Sequence, residues 1–393
     1  MTEAAFWGAV AALVYTFAGY PALVILLARV RPRAVRRAPV TPDVSVVIAA
    51  HDEAATIAAR IENCLALDYP ADRLEIIVAS DGSTDRTVEI ARRYAQHNGP
   101  GRPTVRVHAY PWRRGKPAVL DDSIPRCRGE LVLLGDARQR WEPDTARRLA
   151  ENFADPAVGA ASGELMLVNE AGRAVGEGVG AYWRYEKAIR RAESAVHSTV
   201  GATGAIYMIR RALFQRIPVD TLDDDVLIPL RIARAGFRVV FDERARAWDR
   251  VAASGREEFT RKVRTIAGIV QLFARERWLW RPGHPVWIQA FSHKLLRLAA
   301  PFLMITALAA NAALVAAGGL YAALFVAQVA FYAAAAAGAA VSGRAGMLAR
   351  VLALPYAFCL LNLTTVVSVA RYATGRQTVQ WRKAAEAVRS EAA

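Results

Sequence analysis

The sequence predicts an α/β domain with a mostly parallel sheet, flanked on both sides by transmembrane helices. Residues 44–70 and 75–94 form two successive units, each with a short apolar run, an acidic turn and a helical pattern. Successive units of this kind imply a right-handed βαβ crossover, which brings both acidic turns to one edge of the sheet. Apolar stretches near both ends of the chain are long enough to cross a bilayer.

The composition is typical of a membrane protein. Of the 393 residues 54% are hydrophobic, yet the formal net charge is +15. Arginine-rich segments that face anionic membrane lipids on the cytoplasmic side explain this combination. Nucleic-acid binding is the rival explanation, but the arginines are scattered and the sequence carries no recognised nucleic-acid-binding motif, so we expect no nucleic-acid partner. Cys64, Cys127 and Cys359 form neither a pair nor a metal-binding spacing, which favours a reducing compartment.

Residues 1–30 predict a transmembrane helix, because residues 6–28 are apolar and carry no charge. A signal peptide is the alternative, and it fits poorly because the basic residues follow the apolar run instead of preceding it. The positive-inside rule keeps the basic linker, residues 31–43, in the cytoplasm. We therefore expect the α/β domain, residues 44–258, to lie on the cytoplasmic side of the inner (plasma) membrane in a multi-pass protein.

The C-terminal part predicts about three transmembrane helices within residues 295–370, at the apolar stretches 298–318, 320–341 and 351–370. Residues 259–294 predict helices in the cytoplasmic interface, since basic and apolar residues alternate at roughly helical spacing, with a core helix as the alternative. Three spans place the basic tail, residues 371–393, outside, although Arg371, Arg376, Arg382 and Lys383 favour the inside. Either one stretch is re-entrant or interfacial, or the tail is exported.

The two acidic turns resemble those of the family 2 glycosyltransferases of the GT-A fold. In that family a turn of type A-x-N-E and a strand that ends in D-G-S form the pocket for the nucleotide of a sugar donor. The resemblance assigns Ala49, Asp52, Glu53 and Asp81 to this pocket, with Asp81 accepting hydrogen bonds from the base. Asp52 stands where the family has Asn, and D-G-S by itself is also an ordinary βα turn.

Two further motifs resemble the family's diphosphate-binding parts. Gly115 precedes a helix start, which allows close approach to a phosphate, and Lys116 is the candidate contact; a solvated basic turn is the alternative. The strand at 131–134 ends in Gly135, Asp136, Ala137 and Arg138. The family carries a D-x-D motif here that binds the diphosphate through a divalent metal.

Only one acid of that D-x-D motif remains, Asp136, and Arg138 occupies the other position. A guanidinium can itself neutralise phosphate charge, whereas one carboxylate with waters and phosphate oxygens can still hold Mg²⁺. We therefore expect Mg²⁺ or Mn²⁺ at Asp136, with Arg138 as a second diphosphate contact. A strand-end Asp that caps the helix near Pro143 is the alternative.

The acceptor side is expected near two clusters. By resemblance, Gly201, Thr203 and Gly204 lie in the acceptor-side loop, where small residues allow close backbone approach. The run Asp223, Asp224 and Asp225 contains adjacent carboxylates that repel one another, so at least one should have a raised pKa and be able to act as a base. The resemblance matches Asp224 and Asp225 to the family's E-D pair and makes Asp225 the general base.

Processive members of the family carry Q-x-x-R-W where this chain has residues 261–265. Only Arg264 matches, as a further diphosphate contact, and Thr265 stands in place of the Trp that would stack on an acceptor sugar. This favours transfer of one or a few sugars. A helix around residues 182–186 is expected to bind a sugar or lipid head group, or to pack on the sheet. The six histidines show no ligand spacing, so we expect structural or solvated roles.

The resemblance spans residues 44–268 and includes the membrane-bound branch of the family. It implies an inverting glycosyltransferase of cell-envelope glycan or polysaccharide synthesis, with a nucleotide-sugar donor, expected to be a UDP-sugar, and a lipid-linked or saccharide acceptor near the membrane lipids. Two other functions stay open. One is a processive polysaccharide synthase with a transmembrane channel, and the other is a catalytically silent, nucleotide-binding assembly subunit.

Overall fold

A computed structural model describes residues 1–168, 177–251, 255–341 and 346–378, with the side chains of 177–182 left aside. Arg382 and Lys383 of the predicted basic tail lie outside these residues. The strands are β1 Val44–Ala50, β2 Leu74–Asp81, β3 Thr104–Tyr110, β4 Leu131–Asp136, β5 Arg140–Trp141, β6 Val158–Val168, β7 Tyr207–Arg210 and β8 Arg238–Arg250. The helices are α1 Thr2–Val14, α2 Tyr20–Val30, α3 Ile57–Leu65, α4 Thr87–Gln96, α5 Lys116–Ser123, α6 Thr145–Glu151, α7 Glu177–Val196, α8 Asp224–Arg234, α9 Gly255–Arg275, α10 Trp287–Gln289, α11 Leu296–Leu314, α12 Gly319–Ala340 and α13 Met347–Ala373.

The strands form one mixed, mostly parallel sheet in the order β3-β2-β1-β4-β7-β6-β8-β5. β1 pairs in parallel with β2 and with β4, while β7 runs antiparallel to β4 and β6. Ala49 stands in register with Ala79 on one side and with Asp136 on the other. The carboxyl ends of the three central strands therefore meet at one edge, as the two acidic turns predicted.

Both faces of the sheet are covered. All eight residues of β2 are buried, which explains its continuous apolar run. One apolar layer joins the sheet to α3, α4 and α6, and the other joins it to α5, α8 and α9. The predicted α/β fold with flanking apolar helices is confirmed.

The helix after β1 is shorter than the sequence predicts. We expected residues 54–67, but α3 covers Ile57–Leu65. The residues before it form a turn, in which the amides of Thr56 and Ile57 both donate to the Glu53 carbonyl oxygen. Asp52 adopts φ +51°, a left-handed conformation that Asp and Asn tolerate better than most residues.

Four helical segments are long and apolar enough to cross a membrane: Thr2–Val30, Trp287–Ala317, Gly319–Ala340 and Met347–Ala373. The first two are continuous through single π-helical turns at Tyr15–Gly19 and Ala290–Leu295. The two π-helical turns contact each other, because the Tyr15 and Ser292 hydroxyl groups lie 2.9 Å apart. The N-terminal helix therefore packs beside the first C-terminal one.

The helix expected in the membrane interface is mostly covered by protein. The apolar side of α9 includes Val263, Ile269, Leu272 and Phe273, all buried. Ile269, Leu272 and Phe273 belong to the same apolar layer as α8. This is the arrangement of the alternative core helix.

Candidate active site

The carboxyl end of β2 holds the turn that precedes α5. Asp81 accepts hydrogen bonds from the backbone amides of Arg114 at 2.6 Å and Gly115 at 2.8 Å. Gly115 has φ +97°, which suits glycine and starts α5 at Lys116. We expected the Asp81 carboxylate to face a nucleotide base. In the structure both of its oxygen atoms accept hydrogen bonds from the backbone at the start of α5, and the contact with a base stays a prediction.

The two acidic turns are bonded to each other. The Asp52 carboxylate accepts a hydrogen bond from the Thr84 amide at 2.7 Å, and the Asp52 amide donates to Ser83 Oγ at 3.1 Å. The Glu53 amide donates to Thr87 Oγ1 at 2.7 Å. These bonds join the β1 turn to the start of α4, so the predicted nucleotide pocket is one connected unit.

Lys116 lies between two carboxylates. Its Nζ atom is 3.0 Å from Asp136 Oδ1 and 3.2 Å from Asp224 Oδ2, and only 12% of its side chain is exposed. Burial alone would lower the pKa of Lys116, but Asp136, Asp224 and Asp225 raise it above its usual value. Lys116 is thus a buried cation and not the solvated turn residue of the alternative interpretation.

Asp136 stays ionised. Burial raises its pKa, but Lys116 and Arg138 outweigh burial, and the pKa falls below its usual value. The Asp136 amide donates to the Gln139 side-chain oxygen at 3.0 Å. The Asp136 carboxylate lies beside Lys116 and Arg138, and the residue at the N-cap of α6 is Asp144, so Asp136 does not cap that helix.

Arg138 is held by a carboxylate that the sequence analysis missed. Its Nε atom lies 2.9 Å from Asp249 Oδ2, while its Nη2 atom lies 3.9 Å from Asp136 Oδ2. The Gln139 side-chain amide nitrogen also donates to Asp249 Oδ2 at 3.1 Å. Strand β8 continues to Arg250, well past its apolar start, and so carries Asp249 to the site.

Asp136 is the carboxylate at this site that the sequence predicts as the ligand of a divalent metal. Among the described residues, no group of three or more His, Cys, Asp or Glu side chains has the arrangement of a metal site. Asp136 faces the site with Lys116 and Arg138 on its two oxygens. It therefore fits a metal as a single ligand, in a site completed by diphosphate oxygens and water.

The loop at residues 201–204, predicted to lie on the acceptor side, contacts Asp225 at two points. The Ala202 amide donates to the Asp225 carbonyl oxygen at 2.8 Å. A Cβ atom at Gly204 would lie 2.8 Å from Asp225 Oδ2, so only glycine lets the backbone approach this closely. Burial, followed by Asp224, raises the pKa of Asp225 to about 6, against the opposing effect of Lys116.

Asp223 lies on the other side of the same turn, against α9. A Cβ atom at Gly268 would lie 2.3 Å from the Asp223 carboxylate. Burial and Asp225 raise the pKa of Asp223 well above its usual value. Arg264 Nη2 donates to the Leu222 carbonyl oxygen at 3.1 Å. Arg264 therefore contacts the turn that carries the three acids, and its expected contact with the diphosphate stays a prediction.

The sheet edge thus gathers most of the predicted residues into one site. The diphosphate and base candidates lie together, namely Lys116, Asp136, Arg138, Asp224 and Asp225. The acceptor-loop residues Gly201, Thr203 and Gly204 border them, and Asp52, Glu53 and Asp81 lie at the adjoining strand ends. A cluster of basic and acidic side chains at the carboxyl edge of an α/β sheet suits a phosphorylated ligand and a proton transfer.

Comparison with known proteins agrees with this site. Residues 45–217 match the family model described as glycosyl transferase family 2. The structure of mannosyltransferase PcManGT from Pyrobaculum calidifontis, in complex with GDP-Man and Mn2+, has 26% sequence identity and a TM-score of 0.71. The similarity covers 95% of this chain and 99% of that one.

Two curated relatives are similar over shorter regions. Beta-monoglucosyldiacylglycerol synthase of Synechocystis sp. is 34% identical over 130 residues, 33% of this chain and 27% of the relative. Poly-beta-1,6-N-acetyl-D-glucosamine synthase of Staphylococcus epidermidis is 22% identical over 239 residues, 60% of this chain and 56% of the relative. This chain therefore spans about a quarter to about half the length of the curated relatives that it matches.

The fold and the arrangement of the site are those of a GT-A domain. The family match, the structural similarity and the curated relatives agree on the same class. Residues 45–217, slightly less than half of the chain, therefore resemble the family 2 glycosyltransferases. A family neighbour solved with Mn2+ supports divalent metal use in the family.

Proposed function

We propose that the protein is a membrane-bound inverting glycosyltransferase of cell-envelope glycan synthesis. It transfers a sugar from a nucleotide-sugar donor to a lipid-linked or membrane-proximal saccharide acceptor. The observation that carries the proposal is the buried Lys116, which lies between Asp136 and Asp224 and next to Asp225. This arrangement supplies positive charge and a base at the same strand edge.

The donor binds along the β1 and β2 turns. Ala49, Asp52, Glu53 and Asp81 border the nucleotide, and Lys116 with Arg138 neutralises the diphosphate. A divalent cation at Asp136, Mg²⁺ or Mn²⁺, supplies further positive charge to the leaving diphosphate when it is bound. A UDP-sugar is the first candidate donor, with a GDP-sugar as the second because the similar structure from Pyrobaculum calidifontis holds GDP-Man.

The acceptor hydroxyl meets the donor at Asp225. With a pKa of about 6, this carboxylate is ionised at neutral pH and basic enough to take the acceptor proton in the transition state. A single attack from the side opposite the leaving diphosphate inverts the anomeric carbon. Gly201, Thr203 and Gly204 border the acceptor, since the loop that contains them contacts the base through Ala202 and Gly204.

The enzyme crosses the inner (plasma) membrane several times, with its α/β domain in the cytoplasm. Four apolar helices support the spans. The arginine cluster that follows α2 supports the cytoplasmic side. Arg37 of this linker contacts the domain directly, with Nε 2.9 Å from Asn152 Oδ1. Membrane lipids thus surround the helices that carry the domain, and the acceptor reaches the site from the membrane.

The test is donor turnover by the full-length protein in liposomes that contain a lipid extract. UDP-, GDP- and dTDP-sugars are supplied in turn with Mn²⁺ or with EDTA. Consumption of one donor, with its sugar recovered on a lipid or short saccharide, supports the proposal. Long polymer as product would instead show a processive synthase, and nucleotide binding without turnover of any donor would show a silent binding subunit.

A further inference from the structure

A buried ionic cluster joins α7 to the membrane helices. His293 Nδ1 lies 2.8 Å from Glu193 Oε1, and its Nε2 lies 3.1 Å from Glu186 Oε2. The Tyr20 hydroxyl donates to Glu193 Oε1 at 2.6 Å. Arg297 also pairs with Glu186. Glu193 is 0%, Tyr20 1% and His293 3% exposed, so this part of the cluster is closed to solvent, while Glu186 and Arg297 remain partly exposed.

The cluster fixes α7 relative to both ends of the chain. Tyr20 belongs to the N-terminal helix, and His293 belongs to the π-helical turn that leads into α11. Tyr185 adds a further contact, because its hydroxyl donates to the Phe17 carbonyl oxygen at 2.9 Å. Helix α7 therefore packs on the membrane helices. It also contacts the sheet, as one sequence interpretation had it, because the Phe241 amide of β8 donates to Ser194 Oγ at 2.9 Å. Breaking such a buried ion pair is costly.

Arg190 connects α7 to the loop at residues 201–204. It lies on α7 four residues after Glu186 and three before Glu193, so the three side chains share one helix face. Its Nη2 atom donates to the Ala202 carbonyl oxygen at 3.3 Å. The amide of the same residue, Ala202, donates to the Asp225 carbonyl oxygen at 2.8 Å.

We propose that Arg190 is a positioning residue for Asp225. It holds the Ala202 peptide, and with it the loop that touches both the backbone and the carboxylate of the base. Its own place is set by the Glu186, Glu193 and His293 cluster. The inference rests on the proposed role of Asp225. Displacement of a base by about 1 Å costs on the order of 100-fold in rate, so loss of Arg190 lowers the transfer rate without touching the donor pocket.

The chain offers a matched control. Arg191 is the next residue of α7, carries the same charge and pairs with Glu243 at the surface, away from the loop. Arg190→Gln, Arg190→Lys and Arg191→Gln are compared in full-length protein in liposomes, with kcat for transfer and Kd for the donor measured separately. We expect Arg190→Gln to lower kcat about 10- to 100-fold with donor Kd within about twofold. Arg190→Lys restores part of the rate, and Arg191→Gln matches wild type.

A wild-type kcat in Arg190→Gln would overturn the inference. An equal loss of kcat in Arg190→Gln and Arg191→Gln would also overturn it. If Arg190→Gln does not fold, His293→Gln decides, because it loosens α7 from the membrane side. In His293→Gln, a lower kcat with unchanged donor Kd supports the inference, and a wild-type kcat contradicts it.

The variant Asp225→Asn is measured in parallel. If Asp225→Asn is fully active, both the proposed base and this inference are refuted. If Asp225→Asn is inactive while Arg190→Gln keeps the wild-type kcat, only the inference is refuted.

Discussion

The ammonium group of Lys116 lies 3.0 Å from the carboxylate of Asp136, in a position where little solvent reaches either group. This pair joins the turn held by Asp81 to the end of β4. The same ammonium group contacts Asp224 at the start of α8. One cation therefore connects the donor side of the site with the segment that carries the base.

Removal of that cation should harm both stability and donor binding. Lys116→Met leaves two buried carboxylates without their shared partner, so we expect a loss of about 3 kcal/mol in the free energy of unfolding. Donor Kd should rise about tenfold or more, because the diphosphate loses a cation. Thermal unfolding and donor titration measure the two effects. Lys116→Arg keeps the charge and serves as the control. If Lys116→Met and Lys116→Arg had the same stability and the same donor Kd, the proposed role of the charge would be contradicted.

The pH dependence of transfer should report Asp225. A base must be ionised, and the pKa of Asp225 is about 6, so kcat/KM falls as the pH drops through about 6 and levels off above it. Lys116 lowers the pKa of Asp225, so its removal should move this acid limb to higher pH. A pH–rate profile of wild type and Lys116→Met checks both points. An acid limb that stays in place in the variant would argue against the assignment.

Two glycines of α9 provide a packing test. A Cβ atom at Gly268 would meet the Asp223 carboxylate at 2.3 Å, whereas one at Gly255 meets no atom within 4 Å among the described residues. We expect Gly268→Ala to destabilise the protein by about 2 kcal/mol and to displace the acidic turn. Gly255→Ala should be neutral or slightly stabilising. Denaturation curves of the two variants make the comparison, and similar values for both would contradict the packing described here.

Metal affinity should depend on Arg138. The guanidinium lies 3.9 Å from Asp136 and is 42% exposed, so its repulsion of a divalent cation is partly screened. Arg138→Gln should bind Mn²⁺ up to about fivefold more tightly, while donor binding in EDTA weakens because a diphosphate contact is lost. Mn²⁺ titration followed by electron paramagnetic resonance measures the first effect. Arg140→Gln, at an exposed position nearby, is the control, and weaker Mn²⁺ binding by Arg138→Gln would refute the prediction.

The sequence was informative where function follows from local pattern. Apolar runs that end in acids fix the carboxyl ends of β1, β2 and β4, and parallel pairing brings those ends together without further information. This is why Asp52, Asp81 and Asp136 could be placed at one edge. The spacing of three acids likewise predicted a raised pKa, and the structure gives one for Asp223 and for Asp225.

The remaining parts depend on contacts between distant segments. Asp249 reaches the site because β8 continues well past its apolar part, and no local pattern marks that extension. His293 meets Glu193 across 100 residues of chain, so neither residue signals its partner. The apolar side of α9 has the same spacing whether it faces lipid or protein, and tertiary packing decides which.

The central claim is that Asp225 takes the acceptor proton. The most direct measurement is the transfer rate of Asp225→Asn in liposomes, with donor Kd measured on the same preparation. Asp220→Asn is the matched control, since Asp220 is a nearby exposed acid that pairs with Arg275. The account predicts that Asp225→Asn transfers about 100-fold more slowly or worse with donor Kd unchanged, while Asp220→Asn equals wild type. A wild-type rate in Asp225→Asn would contradict it.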